Sequence, residues 1–169
     1  MRTVALVLTA VLTASAARAQ QGTEGVPGGN EAAGAALVAG KGMCLTCHRV
    51  QGKGSRLGPD LTDIGTLRVA EQLMTSLLEP DAEILPENRF YRVVARDGVA
   101  TSGRLLNLDS FQILMLDEKE QLRSFQKSDL REHGFIKTSK MPSYREKLSR
   151  QELADVIAYL STLKGVAAQ

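Results

Sequence analysis

The chain has 169 residues, enough for one domain once a leader is removed and not obviously enough for two. Its 21 basic and 19 acidic residues nearly cancel, and losing Arg2 and Arg18 with that leader makes the mature chain formally neutral. Neither nucleic acid nor an anionic membrane surface is therefore implied as a partner. There is no Trp, and with three Tyr and four Phe the core lacks large planar groups.

Residues 1–19 read as a signal peptide. Arg2 is the positive start, Thr3 to about Ala14 is apolar and too short to span a bilayer, and Ala17-Arg18-Ala19 is the small-residue pattern of a cleavage site. Cleavage is expected after Ala19, giving a periplasmic or otherwise exported protein with no stable membrane insertion; the alternative is an uncleaved anchor. Residues 20–34 follow as a flexible, Gly-rich linker. The domain is expected over 35–165, and 166–169 form a tail. Asn30 is positioned to cap a first helix through Ala32–Lys41, stopped by Gly40 and Gly42.

Cys44-Leu45-Thr46-Cys47-His48 has the C-x-x-C-H spacing of covalent haem c attachment. Two thiols three positions apart reach the two vinyl groups on one haem edge, and the next histidine lies under the iron as an axial ligand. Both cysteines of the chain are thereby used. A redox dithiol needs a βαβ setting that these flanks lack, and a zinc site needs more nitrogen or sulfur ligands than His48 and His133 supply. Met43 is expected in the core. After a Gly- and Lys-rich loop comes Gly58-Pro59-Asp60-Leu61. The Pro59 carbonyl is the candidate acceptor for the second ring nitrogen of His48; the alternative is an ordinary loop proline.

Thr66 is read as the cap of a second helix running to Glu79, with Leu73, Met74, Leu77 and Leu78 as its apolar stripe. Residues 89–126 change to a period near two and predict a four-stranded meander, turning first at Asp97-Gly98, with Gly103 marking a bulge and Met115 packed. Ser128–His133 reads as a short helical turn, and His133 is a second candidate haem ligand. Ser149-Arg150-Gln151-Glu152 is a capping box opening a last helix that ends at Gly165. Met141, in the irregular Ser139-Lys140-Met141-Pro142 loop, lies on no apolar stripe, and its thioether suits haem iron.

The C-x-x-C-H, the Gly-Pro-x-Leu, the Met-Pro loop and the closing helix together resemble a class I c-type cytochrome. Gly58-Pro59-Asp60-Leu61-Thr62, Leu77-Leu78-Glu79-Pro80, the Asp97-Gly98 hairpin with Gly103, and Ser139-Lys140-Met141-Pro142 make the likeness closer to the haem-binding domain of the Pirellula/Verrucomicrobium type. The resemblance covers roughly residues 35–164. It implies a mainly α, class I cytochrome c-like helical haem domain with a small antiparallel β-meander inserted at about 89–126. It further implies a haem crevice between the first and last helices, with iron held by His48 and Met141. Arg56 is implied as a contact of a haem propionate, the alternative being a solvated loop cation. One covalent haem c and a separate redox protein as donor and acceptor follow, for a one-electron carrier and not an enzyme. The alternatives are a haem subunit docked on a separate dehydrogenase, or a peroxidase-like haem with an open distal site served by His133.

Overall fold

The computed structural model describes residues 28–165. The expected leader and its cleavage site, the linker before residue 28 and the tail at 166–169 lie outside the described residues. Within them the chain builds two cores side by side, one between helices and one inside a curled sheet.

Helix α1 (Glu31–Ala39) starts where the Asn30 side chain accepts from the Ala33 N–H at 2.9 Å. Residues 31–34 thus belong to the folded part and not to the linker. Helix α4 (Arg150–Thr162) opens with the anticipated capping box: Ser149 Oγ accepts from the Glu152 N–H, and the Glu152 carboxylate accepts from the Ser149 N–H. The two helices pack through glycine. A Cβ on Gly34 would sit 1.9 Å from the Asp155 carbonyl oxygen, so no other residue lets the backbones approach this closely. Asp155, only 7% exposed, is satisfied there by the Asn30 N–H and by Gln151 Nε2.

The single second helix expected over 66–79 is two. Helix α2 (Ile64–Leu67) ends where Arg68 and Val69 turn extended, and helix α3 (Ala70–Leu78) begins after them. Thr66 lies inside α2 and caps nothing. The Val69 N–H is taken instead by the Gln72 side chain. Leu73 and Leu77 are buried against Val38, Val156, Ile157 and Leu160, with Met74 at the edge of that core. Between α1 and α2 lies a two-stranded hairpin, β1 (Arg49–Val50) and β2 (Lys53–Gly54), turning at Gln51-Gly52 with both φ positive.

The second core belongs to strands β3 (Phe90–Ala95), β4 (Ala100–Leu108), β5 (Gln112–Asp117), β6 (Leu122–Gln126) and β7 (Leu130–Phe135), ordered β6-β5-β4-β3-β7 and antiparallel throughout. Only the 3₁₀ turn Lys127–Asp129 separates the two edge strands in sequence. Flat, five strands would hold those edges about 19 Å apart, whereas so short a link reaches at most about 14 Å. The sheet must therefore curl into a partly closed barrel. Register shifts after Val94 and Leu105 add curvature. The barrel encloses Tyr91, Val93, Ile113 and Met115, the last fully buried as anticipated.

The fold is thus α+β and not the expected mainly α domain: 27% of it is strand, and the strands carry a core of their own. Three local readings explain the difference. The Arg68–Val69 break shortens the helical part. Leu130–Phe135, polar in sequence, is a strand and not a helical turn, because its N–H and C=O groups pair with β3. The β segment accordingly runs to Phe135 and not to 126. Gly103 is regularly paired and not bulged; it is small because a Cβ would meet the Leu116 carbonyl oxygen at 2.0 Å.

Candidate functional site

The C-x-x-C-H stretch folds into one tight turn. Met43 takes a left-handed φ of 53° and starts a 3₁₀ turn over Cys44–Thr46, and the Cys47 and His48 N–H groups both bond to the Cys44 carbonyl, at 3.2 and 2.9 Å. Positions i, i+3 and i+4 share one side of such a turn. Cys44, Cys47 and His48 consequently all line a single cavity of about 890 Å³, near the upper end of the ~300–1,000 Å³ typical of cofactor sites. Its walls are largely apolar: Leu61 and Ile64, Leu73 and Leu77 of α3, Val156 and Leu160 of α4. It therefore lies beside α4 and under α3. Of the first helical segment only the residues after α1, from Lys41 on, reach it, so it is not a crevice between the first and last helices.

His48 is held by the Gly58-Pro59 stretch, which lines the same cavity. Its Nδ1 is 2.8 Å from the Pro59 carbonyl oxygen, which can only accept, so Nδ1 carries the proton and Nε2 keeps a free lone pair. Burial lowers the His48 pKa, opposed in part by the Pro59 bond. Gly58 makes this close approach possible. A Cβ there would stand 3.0 Å from His48 Cε1 and Nδ1, and its N–H bonds the Cys47 carbonyl at 2.6 Å.

Met141 lines the same cavity from a loop some ninety residues away. The Ser139 hydroxyl accepts the Met141 N–H, Ser143 Oγ donates to the Leu78 carbonyl, and the Tyr144 N–H donates to the Leu77 carbonyl. The Met-Pro loop is thus tied to the end of α3. Met43, expected in the core, is 64% exposed at the cavity rim.

Two candidates stand elsewhere. Arg56 does not line the cavity; its side chain is exposed, and its backbone bonds to the barrel. His133 lies on β7, with Nδ1 2.7 Å from the Tyr91 hydroxyl and its ring stacked on Tyr91. Two residues that sequence reading passed over are in the site. Tyr144, buried, donates its hydroxyl to the Gly42 carbonyl beside Cys44, and burial with the nearby thiol pushes its pKa far up. Burial likewise raises the Cys44 thiol. Arg68 lines the cavity, paired at 2.7 Å with Glu83, and its side chain is 21% exposed. Its place at the break between two helices is visible only in the fold.

No protein-family model matches this sequence, and it has no match among curated proteins. The chemistry of the site must be read from its own groups. Two thiols able to form thioether bonds, an imidazole with Nε2 free, a thioether and a largely apolar cavity could together hold a covalently attached haem. Among the described residues no cluster of three or more His, Cys, Asp or Glu side chains suits a bare metal ion.

Proposed function

We propose that this chain is an exported c-type cytochrome with one haem c joined through Cys44 and Cys47, its iron held between His48 and Met141, and that it carries one electron at a time. The observation carrying this is the convergence of Cys44, Cys47, His48 and Met141 on one largely apolar cavity from opposite ends of the domain.

The bound haem supplies an iron that alternates between two oxidation states. The protein's part is to hold and insulate. The tight turn at Cys44–Thr46 sets both sulfurs and the imidazole on one side. The Pro59 carbonyl fixes the ring and increases its basicity. Leu73, Leu77, Val156 and Leu160 keep water from the ligands. Held by His48 and Met141, the haem would favour the ferrous state at a raised potential, and those two side chains would leave no ligand position for a substrate. His133, the acid–base candidate of the peroxidase-like reading, bonds the Tyr91 hydroxyl and does not line the cavity. Donor and acceptor are separate redox proteins, and a small, partly wet contact suffices for transfer.

A pyridine haemochrome assay with an intact mass tests the covalent cofactor. One haem per chain is expected, with the mass of residues 20–169 plus that haem; a polypeptide of bare amino-acid mass overturns the reading. Met141→Ala should abolish the sulfur-to-iron charge-transfer band of the ferric protein and let the ferrous protein bind carbon monoxide. A variant that keeps both the band and the closed site removes Met141 as ligand.

A further inference from the structure

The turn between β5 and β6 touches the loop whose Pro59 carbonyl holds His48 and the loop that carries Met141. On one side the Glu120 carboxylate accepts from the Ser55 hydroxyl and, at 2.7 Å, from the Arg56 N–H. Arg104 of β4 adds a bond from its guanidinium to the Arg56 carbonyl at 3.0 Å. From there the chain runs through Leu57 and Gly58 directly to Pro59, whose carbonyl holds His48. On the other side Glu118 Oε1 accepts from Lys140 Nζ at 3.0 Å and from Ser102 Oγ at 2.8 Å. Lys140 is the neighbour of Met141.

The turn is built to stay in place. The Asp117 carboxylate, nearly buried, accepts the N–H groups of Lys119 and Gln121 at 2.9 Å each. Glu120 has a φ of 58°, a left-handed conformation that favours glycine. A glutamate kept where glycine would relax the turn points to use of its side chain.

We propose that the β5–β6 turn is a brace for the two ligand loops, Glu120 acting as positioning residue for His48 through the Ser55–Pro59 loop and Glu118 for Met141 through Lys140. The barrel is then part of the redox site's scaffold. This rests on the reading of His48 and Met141 as ligands. The Glu120 arm is the stronger, with two donors on one carboxylate oxygen. The Glu118–Lys140 pair is exposed on both sides and is the weaker.

Glu120→Gly, in the full-length purified protein, removes the carboxylate while relaxing the turn, so the barrel stays folded. Hydrogen exchange at the Arg56 and Gly58 amides should quicken about tenfold, the size of one lost hydrogen bond, while amides of Val93 and Ile113 keep their rates. The midpoint potential and the exchange of the His48 Nδ1 proton should move with the loop. Glu120→Gln, whose amide oxygen still accepts, should restore most of both. Glu118→Ala should weaken the sulfur-to-iron band without altering exchange at Gly58. Unchanged loop exchange in Glu120→Gly, or equal loosening throughout the barrel, overturns the brace. A wild-type protein without haem would defeat the cytochrome reading instead, and the loop exchange, measured on that same protein, would still decide the brace.

Discussion

Replacing Gly58 by alanine probes the site most directly, because the perturbation is one methyl aimed at the ligand ring. The new Cβ would lie 3.0 Å from His48 Cε1 and Nδ1 and 3.1 Å from the Cys47 carbonyl oxygen, where ordinary contact begins near 3.4 Å. The imidazole must therefore yield by roughly 0.4 Å. If it moves away from Pro59, the 2.8 Å contact stretches to about 3.2 Å, the limit of a normal N–H···O bond. Overpacking of this kind costs about 1–3 kcal/mol, and weakening a buried hydrogen bond adds about 1 kcal/mol. A loss of about 2–4 kcal/mol in urea unfolding is expected.

On the proposed haem ligation, the same variant should alter the redox couple in a definite direction. Donation from Nδ1 to the Pro59 carbonyl makes the ring a better electron donor and favours ferric iron, so its weakening raises the midpoint potential. A differential effect of about 0.5–1 kcal/mol corresponds to roughly 20–40 mV in a one-electron couple. Spectroelectrochemical titration of wild type and variant reads that shift. A Gly58→Ala protein with unchanged unfolding energy and unchanged potential would refute the placement of this loop against His48.

Three further changes follow from the packing. Tyr144→Phe keeps the ring but leaves the Gly42 carbonyl without its donor; a loss of about 1–2 kcal/mol is expected, measured by denaturant unfolding. Gly34→Ala sets a Cβ 1.9 Å from the Asp155 carbonyl oxygen, backbone against backbone, so α1 and α4 must part; destabilisation of about 3 kcal/mol or more should show as a lowered Tm. Acid should weaken the fold through the brace. Hydrogen bonds from Lys140 and Ser102 hold the Glu118 carboxyl, and those from Ser55 and Arg56 the Glu120 carboxyl, below the ordinary glutamate range. Just below about pH 4.3 the unfolded chain binds more protons than the folded one, so stability falls as pH falls and is lost through the folded pKa values. The Glu118→Gln/Glu120→Gln double variant should show a shallower decline between pH 5 and 3 in parallel urea titrations.

What could be read without the structure was what neighbouring residues decide among themselves. The Asn30 cap and the capping box at Ser149 need three or four consecutive residues, and both form. The C-x-x-C-H turn is equally local. The His48–Pro59 contact spans only eleven positions, and the need of a ligand imidazole for an acceptor pointed to it. Met141 stood out because it fell on no apolar stripe, a negative signal that its loop's place on the cavity explains.

The misread parts depend on partners far along the chain. Nothing in Leu130–Phe135 itself says strand. It becomes one because the short Lys127–Asp129 link delivers it to the open side of β3, where unpaired N–H and C=O groups need partners. That event turns a meander into a barrel with its own core, and so turns an expected insertion into half of the fold. The same distance hid Glu120. In sequence it is one charge in a polar hairpin turn, and a solvated charge is the ordinary reading of such a residue. Closing the barrel brings that turn against Ser55 and Arg56, sixty-odd residues earlier. The carboxylate thereby gains a task that no local pattern could assign: holding still the backbone that orients the imidazole.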